Sequence, residues 1–141
     1  MKNPAKLLDE AVGRLKAEGI GVFRYNRESA MILLGSPTGE EKYYHGMFVE
    51  PNWEDGFLLY MDTEFSYSTS DETLAREVFD RVFDDLIDDS VEVGALEYDA
   101  EHEVWTCTLV RSCPNLEDLI RRIGAAFEHE LWFDVTDQKA G

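Results

Sequence analysis

FLLYMDTEFSYSTSDETLAREVFDRVFDDLIDD, residues 57–89, changes from a strand pattern to a helix pattern within one short stretch, and its reading decides the fold. Its first six residues form a short apolar and aromatic run of the kind that suits an antiparallel strand. Ser68, Thr69 and Ser70 then offer N-caps, and Asp71 and Glu72 fall in a first turn where the helix dipole favours negative charge. Beyond them Leu74, Val78, Val82 and Leu86 recur every four residues, flanked by Phe79, Phe83 and Ile87. This broad stripe predicts a helix that covers one face of a sheet, with an acidic face turned away from it.

Outward from that stretch, Asn3 and Pro4 start an earlier helix whose stripe is Leu8, Ala11, Val12 and Leu15, and Gly19 and Gly21 end it. Short apolar runs at 22–25, 30–34 and 43–50 join 57–62 in a four-stranded meander, divided by turn residues at 26–29, 35–41 and 51–56. Two further runs, 91–98 and 104–110, read as a hairpin turning at Asp99, Ala100, Glu101 and His102. In the second run Trp105, Cys107 and Leu109 share one side, while Val104, Thr106, Thr108 and Val110 share the other. Pro114 and Asn115 start a last helix with the stripe Leu116, Ile120, Ile123, Phe127 and Leu131. The expectation is one α+β domain over residues 1–136, an antiparallel sheet packed with helices in the order α-β-β-β-β-α-β-β-α, followed by a flexible tail at 137–141.

A chain of 141 residues has room to bury roughly two-thirds of its unfolded surface. Thirteen Lys and Arg against thirty Asp and Glu give a formal charge of −17, which repels phosphate backbones and anionic membranes. Direct binding to nucleic acid or to a membrane is therefore not expected. The charge serves solubility, or it faces a basic partner. With no signal-like apolar segment and no run of about 18 apolar residues, the chain reads as cytoplasmic. Two cysteines are too few for a disulfide framework, and Cys107 reads as a packing residue.

The element order, from the helix at Pro4 through Phe57-Leu58-Leu59-Tyr60-Met61-Asp62 into 73–88 and on to 116–131, resembles the YbjN family and, more distantly, the class I type III secretion chaperones. The likeness lies in architecture and not in a signature motif. It implies a compact α+β domain, frequent homodimerisation, and binding of other proteins without ATP or catalysis. It transfers no catalytic residue.

The residues supply no catalytic frame of their own. Gly19, Gly21 and Gly35 lack phosphate-loop spacing, and Gly35-Ser36-Pro37 reads as a turn. His45, His102 and His129 fall in three different elements outside any zinc frame, and the Asp84-Asp85 and Asp88-Asp89 pairs lack an EF-hand loop. No metal site and no cofactor is expected. Two features point instead to a protein partner. Glu77, Asp80, Asp84 and Asp88 follow one another at i+3 or i+4, a like-charge series that costs roughly 0.2–0.5 kcal/mol per pair and that a basic partner would relieve. Aromatic residues crowd the central strands, among them Tyr43, Tyr44, Phe48, Phe57 and Tyr60, with Trp53 in the turn before Gly56. The partner surface is expected at Tyr44, Phe48, Trp53 and the acidic series, and a homodimer contact at Val104, Thr106, Thr108 and Val110. The leading reading is a non-enzymatic, chaperone-like or adaptor protein for a partner that is basic or handles nucleic acid. The alternative is an acidic inhibitor or immunity-type protein that blocks a basic enzyme such as a nuclease.

Overall fold

The computed structural model describes residues 4–35, 44–52, 56–129 and 131–134. Helix α1 (Pro4–Ala17) precedes strands β1 (Val22–Asn26), β2 (Met31–Gly35), β3 (Tyr44–Pro51) and β4 (Phe57–Ser66). Then come α2 (Glu72–Phe83), a 3-10 turn (Asp84–Leu86), β5 (Val91–Val93), β6 (Glu97–Asp99), β7 (Val104–Cys113), α3 (Leu116–His129) and β8 (Trp132–Asp134). The sheet order is β1-β2-β3-β4-β7-β5, with β6 also paired to β7 and β8 to β4. Every pairing is antiparallel except β4 with β8. The fold is thus the expected α+β class, an antiparallel sheet packed with helices. The tail at 137–141 and Trp53 lie outside the described residues.

Alternation along the two central strands sorts the molecule into a closed side and an open side. On β4, Phe57, Leu59, Met61, Thr63 and Phe65 are buried, whereas Leu58, Tyr60, Glu64 and Ser66 are half-buried and Asp62 is exposed. Period-two burial of this kind marks a sheet covered on one face only. The covered face joins the helices in one apolar cluster that includes Leu8 and Leu15 of α1, Phe79 and Phe83 of α2, and Leu119 and Ile123 of α3. Each side chain of this size stabilises the fold by about 1.5–3 kcal/mol when it leaves water. Gly19, at φ +78, closes α1: its amide bonds the Lys16 carbonyl at 3.1 Å and the next amide, Ile20, reaches the Leu15 carbonyl at 2.9 Å. That pair of bonds is a Schellman cap, and it folds Ile20 back onto the core.

Several boundaries differ from the sequence reading. Helix α2 is capped by Asp71, whose carboxylate accepts from the amides of Thr73 at 2.9 Å and Leu74 at 3.4 Å; Ser68, Thr69 and Ser70 lie upstream of it. Its buried stripe is Ala75, Val78, Phe79 and Phe83, and Leu74 is 42% exposed. The stripe is rotated because the two phenylalanines, the bulkiest apolar groups, take the centre of the contact. On α3 the fully buried positions are likewise Leu119, Ile123 and Ala126, with Leu116, Ile120 and Phe127 at the margin. That helix stops at His129, and Leu131 and β8 carry the chain back along β4. The expected strand 91–98 is two short strands, since the chain at Gly94 presses on β7 so closely that a Cβ would lie 3.0 Å from the Thr108 carbonyl oxygen.

The rotated stripe yields a direct contrast. Phe79→Ala is expected to cost about 3–5 kcal/mol of stability, and Leu74→Ser less than about 0.5 kcal/mol. Urea unfolding of the two variants checks it; comparable losses would mean that Leu74 belongs to the core.

A candidate protein-docking face

The open side of the sheet carries one row of aligned side chains. Register places Leu33 of β2 beside Phe48 of β3, Phe48 beside Tyr60 of β4, Tyr60 beside Val110 of β7, and Val110 beside Glu92 of β5. Phe48 and Tyr60 stack face to face, with centroids 4.3 Å apart and planes 6° from parallel. Leu58 sits two residues along β4, so five apolar or aromatic side chains form a continuous half-buried band. From Leu33 to Val110 the band crosses four strands, roughly 14 Å at the usual strand spacing.

Carboxylates surround that band. Glu50, Asp62, Glu64, Glu92, Glu97 and Asp99 occupy outward positions on β3, β4, β5 and β6, while Arg24 at the β1 edge is the one outward Lys or Arg among the described strand residues. Tyr60 donates from its phenol to Glu50 Oε2 at 3.4 Å, and Thr108 donates to Asp62 Oδ1 at 2.8 Å. Burial, then the nearby Glu50 and Glu92 charges, hold the Tyr60 phenol above its ordinary value of 10.0, so it stays neutral and keeps its proton for Glu50.

The residues singled out from sequence divide among three places. Phe48 belongs to the band, and Tyr44 lies at the start of the same strand. Val104, Thr106, Thr108 and Val110 project from the same open face, so the surface expected for a partner and the one expected for a second copy are one surface. Leu33, Leu58, Glu50 and Glu92 were not singled out, because only the register brings them together. The acidic series on α2 is a different matter. Glu77 and Asp80 remain on its exposed side, lining with Glu72, Thr73 and Arg76 a shallow depression of about 400 Å³. Asp84 caps the end of the helix and Asp88 lies beyond it, so the four carboxylates do not form the single helical strip read from their spacing.

Asp88 pairs with a buried cation for a physical reason, although 46% of its own side chain remains exposed. Arg111 sits on the covered face of β7 with only 4% of its side chain exposed, and a guanidinium there requires a partner. Asp88 supplies it in a two-pronged pair, Nη1 to Oδ1 at 3.1 Å and Nη2 to Oδ2 at 2.9 Å, and Nη2 also donates to the Leu86 carbonyl at 3.2 Å. The Ser90 amide adds a bond to Asp88 Oδ1 at 2.8 Å. These bonds, that to Arg111 foremost, hold the Asp88 carboxyl below its ordinary value of 3.8.

Groups with chemical potential elsewhere have structural roles. Asp99, Glu101 and His102 bring ligand atoms within 4.8 Å of one another, but all three are exposed. Asp99 there caps the hairpin turn, accepting from the amides of Glu101 and His102 and pairing with His102 Nδ1 at 2.7 Å. Cys107 and Cys113 are buried free thiols. Burial raises both, Cys113 to about 12, which leaves neither a ready nucleophile. Among the described residues, no helix is long and apolar enough to cross a membrane. No family model, no curated protein and no solved structure matches the chain.

The Asp88 contact sets an acid dependence. A carboxyl whose folded value is depressed contributes fully above its unfolded value and loses that contribution as pH falls through the folded one. Asp88→Asn is therefore expected to be less stable than the parent by about 1–3 kcal/mol near neutrality, a charged bond to a buried donor being weakened, with the gap closing below about pH 4. Denaturant midpoints of both proteins from pH 7 to pH 2 check this; a gap independent of pH would show that the carboxylate charge is not what Arg111 needs.

Proposed function

We propose that the chain is a non-enzymatic, chaperone-like or adaptor protein of the cytoplasm that holds another protein against the open face of its sheet. The observation that supports this reading best is the aligned band Leu33-Phe48-Tyr60-Val110 inside a border of carboxylates. An apolar centre with a polar, charged rim is the organisation of a protein-binding patch. Two buried free thiols suit a reducing compartment. The element order resembling the YbjN family points the same way, toward binding without catalysis.

Homodimerisation is the second half of the proposal. Pairing through Val104, Thr106, Thr108 and Val110 would bring Asp62, Glu64, Glu97 and Asp99 of one copy toward those of the other, and like charges at close quarters cost several kcal/mol. A dimer that leaves this face to the partner avoids that cost. An acidic inhibitor of a basic enzyme would present Glu77, Asp80, Asp84 and Asp88 as one strip, and Asp88 is instead paired with Arg111.

Affinity purification from the native cell at low and high salt, with light scattering on the free protein, tests the role. The expected result is a specific partner retained by the parent and by Glu77→Gln/Asp80→Asn but lost by Phe48→Ser/Tyr60→Ser, with far-ultraviolet circular dichroism unchanged. A partner retained equally by all three, or no partner at either salt, would remove the sheet face from the proposal.

A further inference from the structure

Among the described residues, the strands under the band offer a partner laid over them no free backbone. Strands β2, β3, β4 and β7 are flanked on both sides by other strands over the band, so their amides and carbonyls are spent within the sheet. An extended segment laid over this face would lose water from its own amides and carbonyls and find no replacement for it, at a cost of about 1–3 kcal/mol for each group left unsatisfied. A helix satisfies its backbone internally and presents side chains alone. The dimensions agree: roughly 14 Å of band corresponds to about nine residues of helix at 1.5 Å per residue.

Charge then selects the flanks of that helix. Glu50 lies to one side of the row and Asp62 and Glu64 to the other, with Glu92 at its end. Five of the described arginines are engaged elsewhere, Arg14 with Glu18 and Glu117, Arg27 with Asp9, Arg76 with Asp80, and Arg121 and Arg122 with Asp118, and Arg24 beside Leu33 is the one cation on the described strands of this face. An acidic helix or a second copy of this face would meet like charge, and a polyanion would meet it over a wider area.

Building on the docking role proposed above, we infer that the occupant is a basic amphipathic helix of another protein. Its apolar stripe lies on Leu33, Phe48, Leu58, Tyr60 and Val110, and its Lys and Arg side chains reach Glu50 on one flank, Asp62 and Glu64 on the other, and Glu92 at the end of the row. Long basic side chains suit this geometry, since their stems cover apolar surface while their heads reach the border.

The test uses the full chain, labelled with nitrogen-15, and three synthetic helical peptides of about 18 residues, five turns. All share one leucine stripe and differ only in flanks of Lys, Gln or Glu. The Lys-flanked peptide is expected to shift the amides of Phe48, Tyr60 and Val110 and to weaken about tenfold when salt rises from about 50 to about 300 mM. The variant Glu50→Gln/Asp62→Asn/Glu92→Gln is expected to bind that peptide at least about fivefold less tightly and the Gln-flanked peptide unchanged. Equal binding of the Gln- and Lys-flanked peptides would overturn the basic helix while leaving the docking face in place. Shifts confined to α2, or face amides that shift on dilution of a dimer, would also overturn it. If no peptide shifts the face while Phe48→Ser/Tyr60→Ser still loses its cellular partner, the occupant is not a basic helix. If that variant loses nothing either, both readings fall together.

Discussion

The antiparallel ladder between β4 and β7, from Phe57 against Cys113 to Ser66 against Val104, is the constraint on which the rest of the structure depends. These two strands sit side by side inside the sheet, and their side chains alternate strictly between two faces. A slip of one residue would send Leu59, Met61 and Phe65 into water and bring Asp62 and Glu64 against the helices. Because the helices pack on one face only, the ladder decides the other face at the same time. The core and the candidate docking surface are two consequences of one register.

Arg111 shows how firmly that register is held. It occupies a position of β7 where alternation demands a core residue, yet it carries a permanent charge. The chain beyond α2 accommodates it: the helix ends at Phe83, a 3-10 turn brings the Leu86 carbonyl within reach, and Asp88 closes on the guanidinium. A buried guanidinium paired with a half-exposed carboxylate adds little net stability over apolar groups of the same shape. Its consequence here is geometric, since it ties the exit of α2 to the central ladder and commits one surface carboxylate to Arg111.

Charge is distributed as unevenly as apolar area. Arg14 joins α1 to α3 through Glu117, while Arg76 and Arg121 pair within their own helices, and exposed ion pairs of this kind contribute about 0–1 kcal/mol each. The open face keeps Glu50, Asp62, Glu64, Glu92, Glu97 and Asp99 with Arg24 at its margin. A net charge of −17 taken as an average suggests only solubility. Concentrated around a stacked Phe48 and Tyr60, the same charge becomes a selection rule for what can dock.

Local physics made much of this legible. Residues 57–89 announce a strand and then an amphipathic helix through the period of their apolar positions, and the alternation of residues 104–110 places Trp105, Cys107 and Leu109 together, as the fold does. Caps are less legible, since Ser68, Thr69, Ser70 and Asp71 are all competent and packing chooses Asp71. The stripe of α2 rotates toward Ala75 and Phe79 because contact volume, which spacing does not encode, outweighs the exposed Leu74. Composition and periodicity by themselves determined the α+β class, the acidic character and the side of each strand on which a residue lies. Only the tertiary structure decided which strands are neighbours, and so that Leu33, Phe48, Tyr60 and Val110 form one row while Asp88 is paired with the buried Arg111. Periodicity is a property of one segment, whereas register and the cost of a buried charge depend on what the rest of the chain brings alongside.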